Sequence, residues 1–126
     1  MCQRRRKEMI RKSSECKIDY KEHMRDGNGT VELKSLIAGP EELCGKGRLF
    51  SQITLKPGCS IGFHMHDDES ELFYILKGNA QYNDNGNIKP VSAGDVTICP
   101  PGTGHGIANE SDEVVELVAV IVFAGE

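Results

Sequence analysis

At 126 residues the chain has the length of one domain, enough to bury a real core. A net charge of −4 excludes a general attraction to nucleic acid or anionic membrane, and no apolar run reaches the roughly 18 residues of a membrane span. Five cysteines, an odd number with no C-x-x-C pair, argue against a disulfide framework and for reduced thiols; the basic N-terminus lacks an apolar leader region, so the expected compartment is the cytoplasm.

Residues 1–28 read as an arm. Gln3-Arg4-Arg5-Arg6-Lys7, with Arg11, Lys12 and Lys17, gathers positive charge near the start. A nucleic-acid arm is the sharp reading of that run. The acidic remainder favours a solvated tail, so no nucleic-acid partner is expected. His23 lies in this segment and receives no role. Gly27-Asn28-Gly29 is a turn and marks the boundary with a domain over residues 29–126.

From Thr30 the pattern becomes β. Thr30 to Ile37 alternates loosely, and Glu41 to Gly47 is a loop after the Gly39-Pro40 break. Arg48 to Leu55 is a strand that ends at Pro57-Gly58. Glu71-Leu72-Phe73-Tyr74-Ile75-Leu76-Lys77 is a second, rich in β-formers. Asn79 to Tyr82 and Asn87 to Val91 form a hairpin around Asn83-Asp84-Asn85-Gly86. Asp95 to Cys99 and Gly106 to Asn109 are short strands, and Glu113 to Phe123 is a long one, apolar on both faces. The fold class is all-β.

The chemistry sits between residues 58 and 109. His64 and His66 are two apart, so on a strand both imidazoles leave the same face. The polar run Asp67-Asp68-Glu69-Ser70 is suited to a turn. Pairing of the next strand across that turn would bring Glu71 back beside the histidines. His105 follows a Pro-Pro-Gly turn and can reach the same place from a neighbouring strand. Imidazoles and a carboxylate suit a divalent transition ion (Mn, Fe, Ni, Zn or Cu). A pair of surface histidines beside an acidic turn is the alternative that spacing alone leaves open.

The stretch resembles the paired motifs of the cupin superfamily. The first, G-x5-H-x-H-x3,4-E-x6-G, is filled by Gly58, His64, His66, Glu71 and Gly78. The second, G-x5-P-x-G-x2-H-x3-N, is filled by Gly94, Pro100, Gly102, His105 and Asn109. The resemblance implies a small jelly-roll barrel. It implies metal ligation by His64, His66, Glu71 and His105, with coordination positions left open for water, substrate or dioxygen. Glu69 is the rival carboxylate, but it breaks the count to Gly78. Gly58, Gly78, Gly94 and Gly102 fall at strand ends, where turns call for positive φ.

Fold does not fix function. The intact ligand set points to a metal-dependent enzyme acting on a small oxygenated or carboxylated metabolite. The alternative is a small-molecule binder or sensor without catalysis. Oxalate decarboxylases of this superfamily carry an arginine three residues before the first motif histidine; here that residue is Ile61, which counts against that chemistry. No catalytic residue is assigned. Arg48 and Gln52 share a strand face, and Tyr74 and Tyr82 are near in sequence, but bulges decide which of them look inward. Asp67, Asp68 and Asn109 are candidates to orient the histidines, although each has a simpler turn role. Leu72, Tyr74 and Leu76 point away from the Glu71 face and need a cover, which predicts a homodimer through that sheet; residues 1–28 folding back over it are the alternative cover.

Overall fold

The structure, a computed structural model, describes residues 9–125; the basic run at Gln3 to Lys7 lies outside them. Ten strands form two antiparallel sheets facing each other across one core. They are β1 (Ile18–Glu22), β2 (Thr30–Ser35), β3 (Gly47–Leu55), β4 (Ser60–His66), β5 (Glu69–Lys77), β6 (Asn79–Asp84), β7 (Asn87–Ser92), β8 (Val96–Cys99), β9 (Thr103–Ala108) and β10 (Val115–Phe123). The six-stranded sheet runs β1-β2-β3-β10-β5-β8 and the four-stranded sheet β4-β9-β6-β7. This is the jelly-roll arrangement. No helix among the described residues is long and apolar enough to cross a membrane.

Alternation sets the inner faces. On β5, Glu71, Phe73 and Ile75 are buried, while Tyr74 and Leu76 are 48% and 42% exposed. On β10, Val115, Leu117, Ala119 and Ile121 point inward. Val115, Leu117 and Ala119 share one buried cluster with Ile61, Ala80, Tyr82 and Ile107 of the facing sheet, so burial of both inner faces is what holds the sheets together.

Local chemistry explains the turns. The β6–β7 hairpin has only two loop residues, Asn85 and Gly86, both at positive φ (51° and 104°). That is the turn that asparagine–glycine favours, because its twist matches the strands. Asn83 and Asp84, expected in the loop, therefore belong to β6. Gly78 shows why glycine ends β5: its φ is +90°, and a Cβ there would lie 2.6 Å from the Val114 carbonyl oxygen.

Two features depart from the sequence reading. Residues 18–22, placed in the arm, pair with β2 as an edge strand. All five are exposed, and the only apolar alternation, Ile18 and Tyr20, is too short to mark the strand. The second concerns β4 and β5, which are not a hairpin. The bend at Asp67-Asp68 carries the chain from one sheet to the other, and Glu69 and Ser70 are already strand. Glu71 thus faces the histidines across the barrel instead of beside them.

Candidate metal centre

His64 on β4 pairs directly opposite His105 on β9. Glu71 reaches the same point from the facing sheet. The donor atoms of His64, His66, Glu71 and His105 all lie within 4.8 Å of one another. Glu71 Oε1 is 2.9 Å from Nε2 of both His66 and His105, and 3.8 Å from Nε2 of His64. Donors bound in adjacent positions at about 2.1 Å from an ion lie about 3.0 Å apart, so this spacing suits one shared cation.

The far side of each ring is also engaged. His64 Nδ1 donates to the Gly62 carbonyl at 2.8 Å. His66 Nδ1 donates to Glu69 Oε1 at 3.0 Å. His105 Nδ1 lies 2.7 Å from the Tyr82 hydroxyl. His66 therefore meets a carboxylate oxygen at both nitrogens, and a neutral imidazole has one N–H to give. A divalent cation at Nε2 satisfies that ring, and the same holds for His64 between a carbonyl and Glu71. The donor set fits a borderline transition ion.

The electrostatics agree. Burial pushes the Glu71 carboxyl up, but the histidine hydrogen bonds and charges more than offset it and hold its pKa at about 2. Burial pushes His105 below the ordinary histidine value, which keeps it neutral and able to donate a lone pair. Burial also raises Tyr82 to about 12, so it stays a phenol. Burial raises Cys99 too, which leaves it a thiol on the strand beside Glu71.

Two bulges aim residues that strand parity would send elsewhere. On β4 the register with β9 slips between Ile61 and His64. Ile61, an odd number of residues from His64, is therefore buried on the same inner face. On β3 the pairing with β10 jumps from Leu49 to Gly47. Arg48 is the extra residue, and it turns toward the cavity, where it donates to Glu69 at 2.7 and 2.9 Å. That hydrogen-bonded pair holds the Glu69 carboxyl below its usual range. Arg48, Glu69, His66 and Glu71 thus form one relay.

A cavity of about 50 Å³ opens beside the cluster. Leu49, Ile53, Ile61, Phe73 and Ile121 give it an apolar wall, and Met24, Arg25 and Arg48 stand with His64, His66 and Glu71 around it. One water needs about 10–15 Å³, so the space holds about three to five waters or a ligand of a few heavy atoms.

The family follows. The cupin-domain model matches residues 51–121. The chain belongs to the cupins. This cupin is 40% identical over 114 residues to the oxalate-binding protein of Thermotoga maritima, covering 90% of this chain and 93% of that one. Its structure is similar to the crystal structure of a predicted oxalate decarboxylase from Thermotoga maritima, with a TM-score of 0.87 and 39% identity over 91% of this chain and 99% of that one. A putative sugar phosphate isomerase from Acidithiobacillus ferrooxidans, 22% identical with a TM-score of 0.64 over 74% of this chain and 59% of that one, shares the fold alone.

The structure brings together all four residues singled out by sequence. Of the residues considered for orienting the histidines, Asp67 and Asp68 are not among the hydrogen-bond partners of the rings. Asn109 instead donates to the Leu55 and Glu113 carbonyls and accepts from Ser111. The orienting groups are Gly62, Glu69 and Tyr82. Glu69 was visible as the rival carboxylate. Tyr82 and Arg48 were in view without an assigned face, and Arg25 carried no signal.

Proposed function

We propose that this cupin uses His64, His66, Glu71 and His105 to hold a divalent transition metal ion, which in turn binds a small dicarboxylate of the oxalate class. The observation that carries the reading is the convergence of three imidazole nitrogens and one ionised carboxylate beside a cavity of about 50 Å³. The bound ion supplies Lewis acidity and open positions for two ligand oxygens. His64, His66 and His105 present Nε2 because their Nδ1 atoms are engaged elsewhere. Phe73, stacked on His105 with ring centroids 5.0 Å apart, fixes the ring and keeps water from it. The similarity to an oxalate-binding protein supports the ligand class.

The walls favour binding over turnover. Apart from the ligand set, the cavity is lined by apolar side chains and two arginines. Neither supplies a proton, and carbon protonation after loss of carbon dioxide needs a positioned acid. A metal-dependent enzyme on the same class of molecule is the second reading, supported by the open coordination positions. The test is elemental analysis of protein purified without chelator or nickel resin, then calorimetric titration with oxalate. One ion per chain and saturable oxalate binding are expected, with both lost in His64→Ala/His66→Ala. Unchanged metal content in that double variant would sink the site.

The six-stranded sheet supports a homodimer. Its outer face carries two cross-strand apolar rows: Phe50–Val120–Leu72–Ile98 and Val118–Tyr74–Val96. Ile98 and Val96 are 61% and 56% exposed. The described part of the N-terminal segment extends the sheet edge at β2 and leaves these rows uncovered. A second copy of the same face is the self-complementary cover.

A further inference from the structure

We infer that Arg25 recognises the outward end of the ligand and restricts the site to small dianions with two oxygen donors. The inference rests on the metal-site reading above and adds a residue from a segment that neither motif contains.

The first argument is position and charge. Arg25 and Arg48 are the cations lining the cavity. Arg48 is already neutralised by its paired hydrogen bonds to Glu69. Among the described residues no acidic group pairs with Arg25. A divalent ion with Glu71 leaves the site one positive charge. A dianion bound there leaves one negative charge over, and the Arg25 guanidinium balances it. A monoanion needs no such partner. A dicarboxylate that gives one oxygen of each carboxylate to the ion turns its other two oxygens away from it, toward the mouth. A planar guanidinium matches that edge with two hydrogen bonds.

The second argument is that the turn holding Arg25 is built against the site. His23, Arg25 and Asp26 all have positive φ (52°, 54° and 64°). Such a run of left-handed residues persists only where the surroundings enforce it. Here His23 Nδ1 donates to the Gly27 carbonyl at 3.1 Å, and Gly27 N donates to Met24 O at 2.9 Å. Met24 packs on the core. The Arg25 carbonyl lies so close to Gly62 that a Cβ there would be 2.0 Å from it. Gly62 is also the residue whose carbonyl receives His64 Nδ1. One bulged stretch of β4 therefore seats the arginine turn and orients a histidine of the metal set.

The test loads wild type, Arg25→Gln and Arg25→Lys with Mn(II) and titrates each with oxalate and, separately, acetate. Arg25 is exposed, so both variants are expected to fold as wild type does, and thermal melting checks it. Expected are one Mn(II) per chain in all three, oxalate binding weakened about 10- to 100-fold in Arg25→Gln, partial recovery in Arg25→Lys, and acetate binding unmoved. Oxalate affinity within twofold of wild type in Arg25→Gln overturns the inference and leaves the metal-site reading standing. So does loss of Mn(II) in Arg25→Gln, which makes the residue structural. Wild type that takes up Mn(II) and binds neither anion overturns the reading itself, and the inference with it.

Discussion

The Tyr82 hydroxyl lies 2.7 Å from His105 Nδ1, and His105 has no exposed surface. This contact selects how the imidazole presents Nε2 to Glu71. Tyr82→Phe keeps the ring and its edge contact with Phe73 but removes the oxygen. Loss of such an orienting partner costs about 10- to 100-fold in metal affinity. Chelator competition with Mn(II) or Zn(II) measures it; an affinity within twofold of wild type would mean that the hydroxyl does not orient the ring.

Glu69 serves two masters, accepting from His66 Nδ1 and from Arg48. Glu69→Gln keeps the shape but has only one acceptor oxygen and no charge. Metal affinity should fall about tenfold or more. Asp68→Asn, at the neighbouring bend and outside the relay, is the control and should leave affinity unchanged. Equal effects of the two substitutions would refute the relay.

Acid should destabilise the chelator-treated protein in two stages. His105 has its pKa lowered from 6.5, chiefly by burial. As pH falls below about 6.5 the unfolded chain takes up a proton that the folded chain refuses, so stability drops. Glu71 is held at about 2 against an ordinary 4.5. Its contribution is complete above about 4.5 and is lost as pH falls toward 2. Melting temperature against pH tests this, with Glu71→Gln expected to show a shallower loss in the lower range. A melting temperature that rises on acidification from pH 7 would contradict both signs.

The outer sheet face gives a prediction independent of the metal. Ile98→Glu places a charge at the β8 end of the apolar rows, on a residue that is 61% exposed within one chain. The barrel should fold unchanged and the dimer should dissociate, as read by light scattering at micromolar concentration. A wild-type monomer, or an Ile98→Glu dimer of wild-type affinity, would remove the proposed interface.

The site was legible where its logic is local. Period-two alternation put His64 and His66 on one face, and counting residues to Gly78 chose Glu71 over Glu69. Asn109 was correctly read as a turn residue satisfying backbone. Alternation also placed Phe73 and Ile75 with Glu71 and sent Tyr74 outward. Legibility stopped at the bulges: a single extra residue reverses parity, so Arg48 and Ile61 point where a plain strand would not send them.

The amino-acid order alone determined an all-β chain with His64 and His66 on one strand face, because turn residues and strand alternation act over a few residues; its resemblance to the cupin motifs added the barrel and the four donors. Only the tertiary structure decided that Glu71 approaches from the opposite sheet, that Tyr82 backs His105, and that Arg25 lines the cavity. Those relations join segments up to dozens of residues apart through sheet pairing and backbone contact at Gly62, and no periodicity in the chain encodes them.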